Sequence, residues 1–354
     1  LYHQMTVDTE FLAFAGAEML IEISRMLVSL TSYDRAHDRY EIKGVMGPDE
    51  YHDAYPDRDE PGLDNNTYTN VMTSWVLARA FDLLERLSPH RAQEIRRRLR
   101  ITDDELALWD TISRKLKVVF HDDGIISQFE GYEDLEELDW DAYREKYGDI
   151  QRLDRILESE GESPNRYKLS KQADVLMLFY LFSAEELTNI FERLGYAFDP
   201  ETIPKNVEYY VQRTSDGSTL SHIVRSWVEA RTDREGSWQY FLNALGADID
   251  DIQGGTTAEG IHLGAMAGTV DILHRCYTGF ETRGDVLHFA PTLPRDVHKL
   301  SVTIRYREQR IVVAIDQETL SLHSMPGRAA PITVCYGQNV CPLHPGDSLS
   351  WPIT

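Results

Sequence analysis

Cysteine is scarce in this chain. Its three residues in 354, Cys276, Cys335 and Cys341, show no metal-ligand spacing and no disulfide framework, which fits a reducing, cytoplasmic setting. Long apolar runs are missing as well, and none approaches the roughly 20 residues of a membrane-spanning helix. Basic residues are outnumbered: Lys plus Arg total 36 against 59 Asp plus Glu, a formal net charge of −23. Phosphate backbones and anionic lipid would be repelled, so neither nucleic acid nor membrane is an expected partner. The opening "LYHQMTVDTEFLAF" has no basic region ahead of an apolar one, so no signal peptide is read there, and no initiator Met, so a fragment of a longer protein is expected. What remains is a globular composition with 42% hydrophobic residues, enough for a sizeable core in one large or two ordinary domains.

Up to about residue 280 the spacing is helical. "TEFLAFAGAEMLIEISRMLVSL" (Thr9 to Leu30) and "NNTYTNVMTSWVLARAFDLLERL" (Asn65 to Leu87) repeat apolar residues at three- and four-residue steps. Thr102 with Glu105 and Ser183 with Glu186 read as capping boxes. Further helices are expected over 171–182, 205–213, 220–231, 237–245 and 261–277. The charged segment Phe129 to Asn165 reads as a surface excursion whose spaced aromatics dock on the body. From 281 to 354 the period becomes two, in "KLSVTIRYRE", "RIVVAIDQETLSLHS" and "PITVCYGQ", separated by Pro and Gly turns. The expected fold is therefore mainly α: a helical region over 1–280 followed by a small antiparallel β-sheet or sandwich domain.

Four stretches carry chemistry-bearing side chains. "VMGPDEYHDA" crowds Asp49, Glu50, Tyr51, His52 and Asp53 behind a Gly-Pro corner, either as a polar turn or as an acid-bearing loop. "KQADVLMLFYLF" puts Lys171 and Gln172 ahead of a wholly apolar helix, with Asp174 one turn in. "RTSDGSTLSHI" and "DIQGGTTAEGIHLGAMAGTVD" each gather hydroxyls around glycine just before a helix. Free N–H groups there would suit a phosphate-sized anion, although an ordinary N-cap reads the same way. His262 in the last stretch reads equally as a core histidine or as a ligand.

Taken in order, "GVMGPDEYH", "LDNNTYTN", "KQADVL", "GSTLS" and "GGTTAEGIHLGAMAGTVD" resemble glycoside hydrolase family 65, whose members include maltose, trehalose and kojibiose phosphorylases and a minority of hydrolases. The resemblance covers essentially the whole chain. It implies an (α/α)6-barrel catalytic region, incomplete here at its N-terminal side, and a C-terminal β domain. It places the general acid on Glu50 and sugar-binding groups on Lys171 and Gln172, with Tyr51 and His52 shaping the loop or binding sugar hydroxyls. Phosphate binding falls on Ser218, Thr219, Gly255, Thr256, Thr257 and His262. Two departures stand out. The family's Trp-Asp-Thr-Glu motif is absent ahead of the acid loop, where "VDTEF" lacks the Trp, and Asp216 occupies a place where relatives carry His.

Inverting glycoside cleavage by water needs two carboxyl groups, whereas phosphate is already an anionic nucleophile and needs one acid. The expectation is inverting phosphorolysis of an α-linked glucose disaccharide to β-glucose 1-phosphate. Crowding by Asp49 and Asp53 would raise the pKa of the acid. Inorganic phosphate is a co-substrate, and no metal or organic cofactor is implied. The alternatives are a hydrolase using Glu259 or Asp216 as base, and a non-catalytic sugar-binding fragment. A homodimer and the missing N-terminal part of the same protein are the partners the resemblance implies.

Overall fold

The computed structural model describes residues 2–58, 60–122, 124–251 and 257–353. They form two compact units: Ala13–Val224, and a second made of Leu1–Leu12 with Arg225–Thr354.

The first unit is built around the helix Thr67–Arg86, which packs against the helices Ala17–Ser29, Asp103–Lys115, Asp174–Leu181 and Ala184–Leu194. Val71, Leu77, Ala80 and Leu83 supply its buried apolar face. Polar groups share this face: Asn70 Nδ2 donates to the Lys117 carbonyl at 2.7 Å and Ser74 Oγ to that of Ser113 at 2.6 Å. Both capping serines and threonines expected from sequence act as such, with Thr102 accepting from Glu105 N–H and Ser183 from Glu186 N–H.

Two helix starts differ from expectation. The helix expected from Asn65 begins at Thr67 behind the cap Asn66, because Asn65 is held elsewhere by Glu130 and by Ile42 N–H. The helix expected from Lys171 begins at Asp174, since the N–H groups of Lys171 and Gln172 are taken by the Asp49 carboxylate. Sequence spacing also missed the hairpin Thr31–Asp34/Arg39–Ile42, where Tyr33 stands opposite Tyr40. The charged excursion docks as expected: Leu138, Ile150, Leu153 and Leu157 form one cluster with Tyr51 and Leu169, and Trp140, Tyr143 and Tyr167 pack against it.

In the second unit the helices Arg234–Asp250 and Leu263–Asp271 pack on each other. Its strands begin at Glu281 and form two four-stranded sheets. One runs Asn339–Leu343, Ile332–Tyr336, Val286–Phe289, Glu281–Arg283, and the other Ser348–Pro352, Thr319–Ser324, Gln309–Asp316, Lys299–Tyr306. Alternating residues of both sheets, including Leu287, Phe289, Ile304, Val313, Leu322 and Val334, share one core. One pairing departs from the antiparallel expectation: Ile332–Tyr336 runs parallel to Val286–Phe289, with Val334 opposite Leu287. The intervening chain forms three strands of the other sheet before returning, so a hairpin connection is not available. Among the described residues no helix is long and apolar enough to cross a membrane.

Candidate functional site

The site in the first unit is assembled from three loops. The turn 47–52 carries Glu50, the segment ahead of the helix Asp174–Leu181 carries Lys171 and Gln172, and the segment 213–219 leads into the helix Thr219–Glu229. Side chains and backbone tie the three together. Tyr51 Oη lies 3.0 Å from Ser215 Oγ, Ser170 Oγ 2.9 Å from Thr214 Oγ1, and Ser221 Oγ donates to the Lys171 carbonyl at 3.0 Å.

Glu50 stands out on this frame. Its φ of 64° lies in the left-handed region that a residue with a long side chain rarely adopts, and such strain concentrates at functional positions. Its side chain is 62% exposed, and its carboxylate meets Lys171 Nζ at 2.8 Å. An ion pair this open contributes about 0–1 kcal/mol, so a ligand could displace it at little energetic cost.

The neighbouring carboxylates do not crowd Glu50, contrary to the sequence expectation. Asp49 turns inward and is 3% exposed. Its Oδ1 accepts from Lys171 N–H at 2.6 Å and from Gln172 N–H at 3.4 Å, while its Oδ2 meets His52 Nδ1 at 3.0 Å. Asp53 instead accepts from Asn165 Nδ2 at 2.7 Å. Backbone donors more than a hundred residues along the chain, at Lys171 and Gln172, capture Asp49, and Asn165 captures Asp53.

Asp174 reciprocates. Its Oδ1 accepts from Asp49 N–H at 2.7 Å and its Oδ2 from Asn66 Nδ2 at 2.5 Å. Burial, with the Asp49 charge beside it, pushes this carboxyl well above the ordinary carboxylate range. Gly47 is obligatory beneath it: a Cβ there would lie 1.9 Å from Asp174 Oδ2 and 2.5 Å from Asn66 Nδ2.

Tyr51 and His52 are both buried, with their polar ends engaged by protein. Burial pushes the Tyr51 phenol up, so it stays a neutral donor, within reach of the Gln151 carbonyl at 3.2 Å. His52 Nε2 sits 2.9 Å from the Tyr167 carbonyl, which only accepts, so that nitrogen carries hydrogen. Gln172 is buried with its Nε2 donating to the Pro48 carbonyl at 3.1 Å.

Ser218 caps the helix Thr219–Glu229, its Oγ accepting from Leu220 N–H at 3.2 Å, which leaves its own hydroxyl hydrogen to donate. Thr219 is buried in the first turn. Asp216 adopts a φ of 55° in the same loop, and Gly217 is required there because a Cβ would lie 2.3 Å from the Gln151 carbonyl oxygen.

In the second unit His262 precedes the helix Leu263–Asp271, and its Nδ1 meets Asp248 Oδ1 at 2.6 Å. That bond holds the Asp248 carboxyl below its ordinary range and leaves Nε2 as the nitrogen open to other partners. Thr257 Oγ1 donates to the Ala247 carbonyl at 3.3 Å. Gly255 and Thr256 lie outside the described residues, as does the side chain of Glu259.

Sequence reasoning missed the parts played by Asp174, Asn66, Gln128, Tyr167 and Asp248. An Asp opening an otherwise apolar helix, as in "KQADVLMLF", was a usable signal for Asp174, because a carboxylate buried there needs donors. Nothing in the spacing of Asp248 and His262 links them.

Residues 1–271 match the glycosyl hydrolase family 65 central catalytic domain, and residues 280–340 match the family's C-terminal domain. An uncharacterized glycosyl hydrolase of Mycobacterium tuberculosis is 50% identical over 337 residues, which cover 95% of this chain and 25% of that protein. Trehalose 6-phosphate phosphorylase of Lactococcus lactis is 35% identical over 331 residues, covering 91% of this chain and 40% of the relative. The chain thus spans well under half the length of these curated relatives. A solved kojibiose phosphorylase candidate from the human microbiome has the same fold, with a TM-score of 0.79 over 99% of this chain and 45% of its own, at 23% identity.

Proposed function

The chain belongs to glycosyl hydrolase family 65, and from that premise we propose that the complete protein cleaves an α-linked glucose disaccharide by inverting phosphorolysis. Glu50 protonates the glycosidic oxygen, and inorganic phosphate attacks the anomeric carbon from the opposite face. The bond to the leaving sugar breaks as the bond to phosphate forms, giving β-glucose 1-phosphate and a released sugar.

The observation that carries this reading is the fate of the carboxylates on the acid loop. Glu50 is exposed, whereas Asp49 is buried on backbone donors and Asp53 is held by Asn165. Of these three, Glu50 is the carboxyl whose partner is the open Lys171 ammonium, which makes it the acid of the loop, and a nucleophile that arrives already anionic needs no second carboxyl. The phosphorylases among the relatives support the same choice.

Lys171 is the sugar-gripping group, exchanging its bond to Glu50 for a sugar hydroxyl when substrate binds. Gln172 lies one residue on, with its amide nitrogen fixed by Pro48. Tyr51 and His52 serve the loop from beneath through their buried contacts. Ser218 and Thr219 donate to phosphate at a helix N-terminus, where the helix dipole favours negative charge. Family membership suggests phosphate-binding roles for Thr257 and His262, and for Gly255 and Thr256, as well.

The test is phosphate dependence across a panel of α-1,1, α-1,2, α-1,3 and α-1,4 glucose disaccharides. Glucose 1-phosphate should form from one of them only when inorganic phosphate is supplied. Equal glucose release without phosphate would favour hydrolysis, with Glu259 or Asp216 as the base.

A further inference from the structure

The two loops that bear Glu50 and Lys171 are joined by a reciprocal exchange of hydrogen bonds. Asp49, immediately before the acid, sends its carboxylate to the backbone N–H groups of Lys171 and Gln172. Asp174, two residues after Gln172, sends its own back to the backbone N–H of Asp49. Each aspartate thus fixes the other's loop, and both are almost wholly buried, at 3% and 2% exposure.

Further contacts hold each aspartate in place. Asp174 N–H donates to Gln128 Oε1 at 2.6 Å, and its second carboxyl oxygen takes Asn66 Nδ2. Asn66 cannot turn over without loss, because its Oδ1 accepts from Thr69 N–H and Thr69 Oγ1, both at 3.0 Å. On the other side His52 bridges Asp49 Oδ2 to the Tyr167 carbonyl.

We infer that Asp174 and Asp49 form a clasp that positions the general acid, holding the Glu50 backbone in its left-handed conformation and setting its separation from the sugar-gripping Lys171. This rests on the reading of Glu50 as the acid. Neither aspartate touches the reacting atoms; both are positioning residues. The physical case lies in the backbone. The open ion pair between Glu50 and Lys171 is too weak to hold a strained residue, whereas two buried carboxyl groups bonded to backbone N–H groups of each other's loops, shielded from competing water, are strong enough to do so. Proton transfer is sensitive to placement, since a shift of about 1 Å can cost roughly 10²-fold in rate.

Asp174 needs two acceptor oxygens, one for Asp49 N–H and one for Asn66 Nδ2. Asp174→Asn offers only one and puts an NH2 against a donor, so even this isosteric change should open the clasp. The test compares two substrates of the complete protein in the presence of phosphate. An α-linked disaccharide needs its leaving oxygen protonated. α-Glucosyl fluoride does not, because fluoride departs unaided.

Asp174→Asn should lose roughly 10²-fold in disaccharide phosphorolysis, with a far smaller loss on the fluoride. Asp49→Ala, which breaks the opposite half of the clasp, should give the same split and carries the test if the first variant does not fold. Equal losses on both substrates would mean general damage to the site, and no loss on either would mean the acid is placed without the clasp. Either result overturns the inference. Glu50→Gln, run alongside, separates the two levels: if it leaves disaccharide turnover intact, the acid assignment itself fails, whatever the aspartate variants do.

Discussion

Glu50→Gln protein is expected to fold normally and to lose roughly 10²- to 10⁴-fold in turnover of its disaccharide, the usual contribution of a positioned general acid. Folding should survive because the Glu50 side chain is 62% exposed and its ion pair with Lys171 is open to water. An amide keeps the shape and some hydrogen bonding, but it has no proton to give to the departing oxygen. The expected signature is a fall in kcat with little change in the unfolding midpoint. Equal kcat for variant and parent would remove Glu50 from the reaction. A collapse of stability would instead mark it as a structural residue, which its exposure argues against.

The largest stability effect on the acid loop is expected from Gly47→Ala. The added methyl would lie 1.9 Å from one Asp174 oxygen and 2.5 Å from the Asn66 amide nitrogen, both on side chains fixed by other bonds. Overpacking of this kind costs typically about 1–3 kcal/mol. The loss should be at the upper end, because relief requires breaking a bond to a buried carboxyl. Urea unfolding of this chain should show the drop, and turnover of the complete protein should fall with it. Gly264→Ala is the natural control, since nothing lies within 4 Å of the Cβ it would add. An unchanged midpoint for Gly47→Ala would mean that the turn stands clear of Asp174.

Much of the fold was legible in the sequence because its elements follow local rules. The three- and four-residue apolar steps of Thr67–Arg86, the caps at Thr102 and Ser183, and the alternation of Gln309–Asp316 are each decided within a short window. The parallel pairing of Val286–Phe289 with Ile332–Tyr336 was not, because it depends on which sheet the intervening strands join. The hairpin at Thr31–Ile42 pairs two tyrosines, but its strands are short and one has no buried residue to set an alternating pattern.

The candidate site divides the same way. Glu50, Lys171 and Ser218 stand out in the sequence because their motifs are compact and ordered along the chain. The direction of Asp49 was misread, since adjacency in sequence suggested adjacency of charge. A residue at an irregular turn can face the opposite way from its neighbour, and Asp49 points into the core while Glu50 points to solvent. Asp174 was noticed only as a residue one turn into a helix. Its role depends on an amide 125 positions away in the chain, a separation that no local pattern records.

The most direct measurement is the anomeric form of the first sugar phosphate released when complete protein, the disaccharide it cleaves and inorganic phosphate react in an NMR tube. A single acid facing an anionic nucleophile across the sugar ring predicts β-glucose 1-phosphate from an α-linked substrate, seen before any mutarotation of free sugar matters. α-Glucose 1-phosphate as the initial product would require a second displacement and contradict the account.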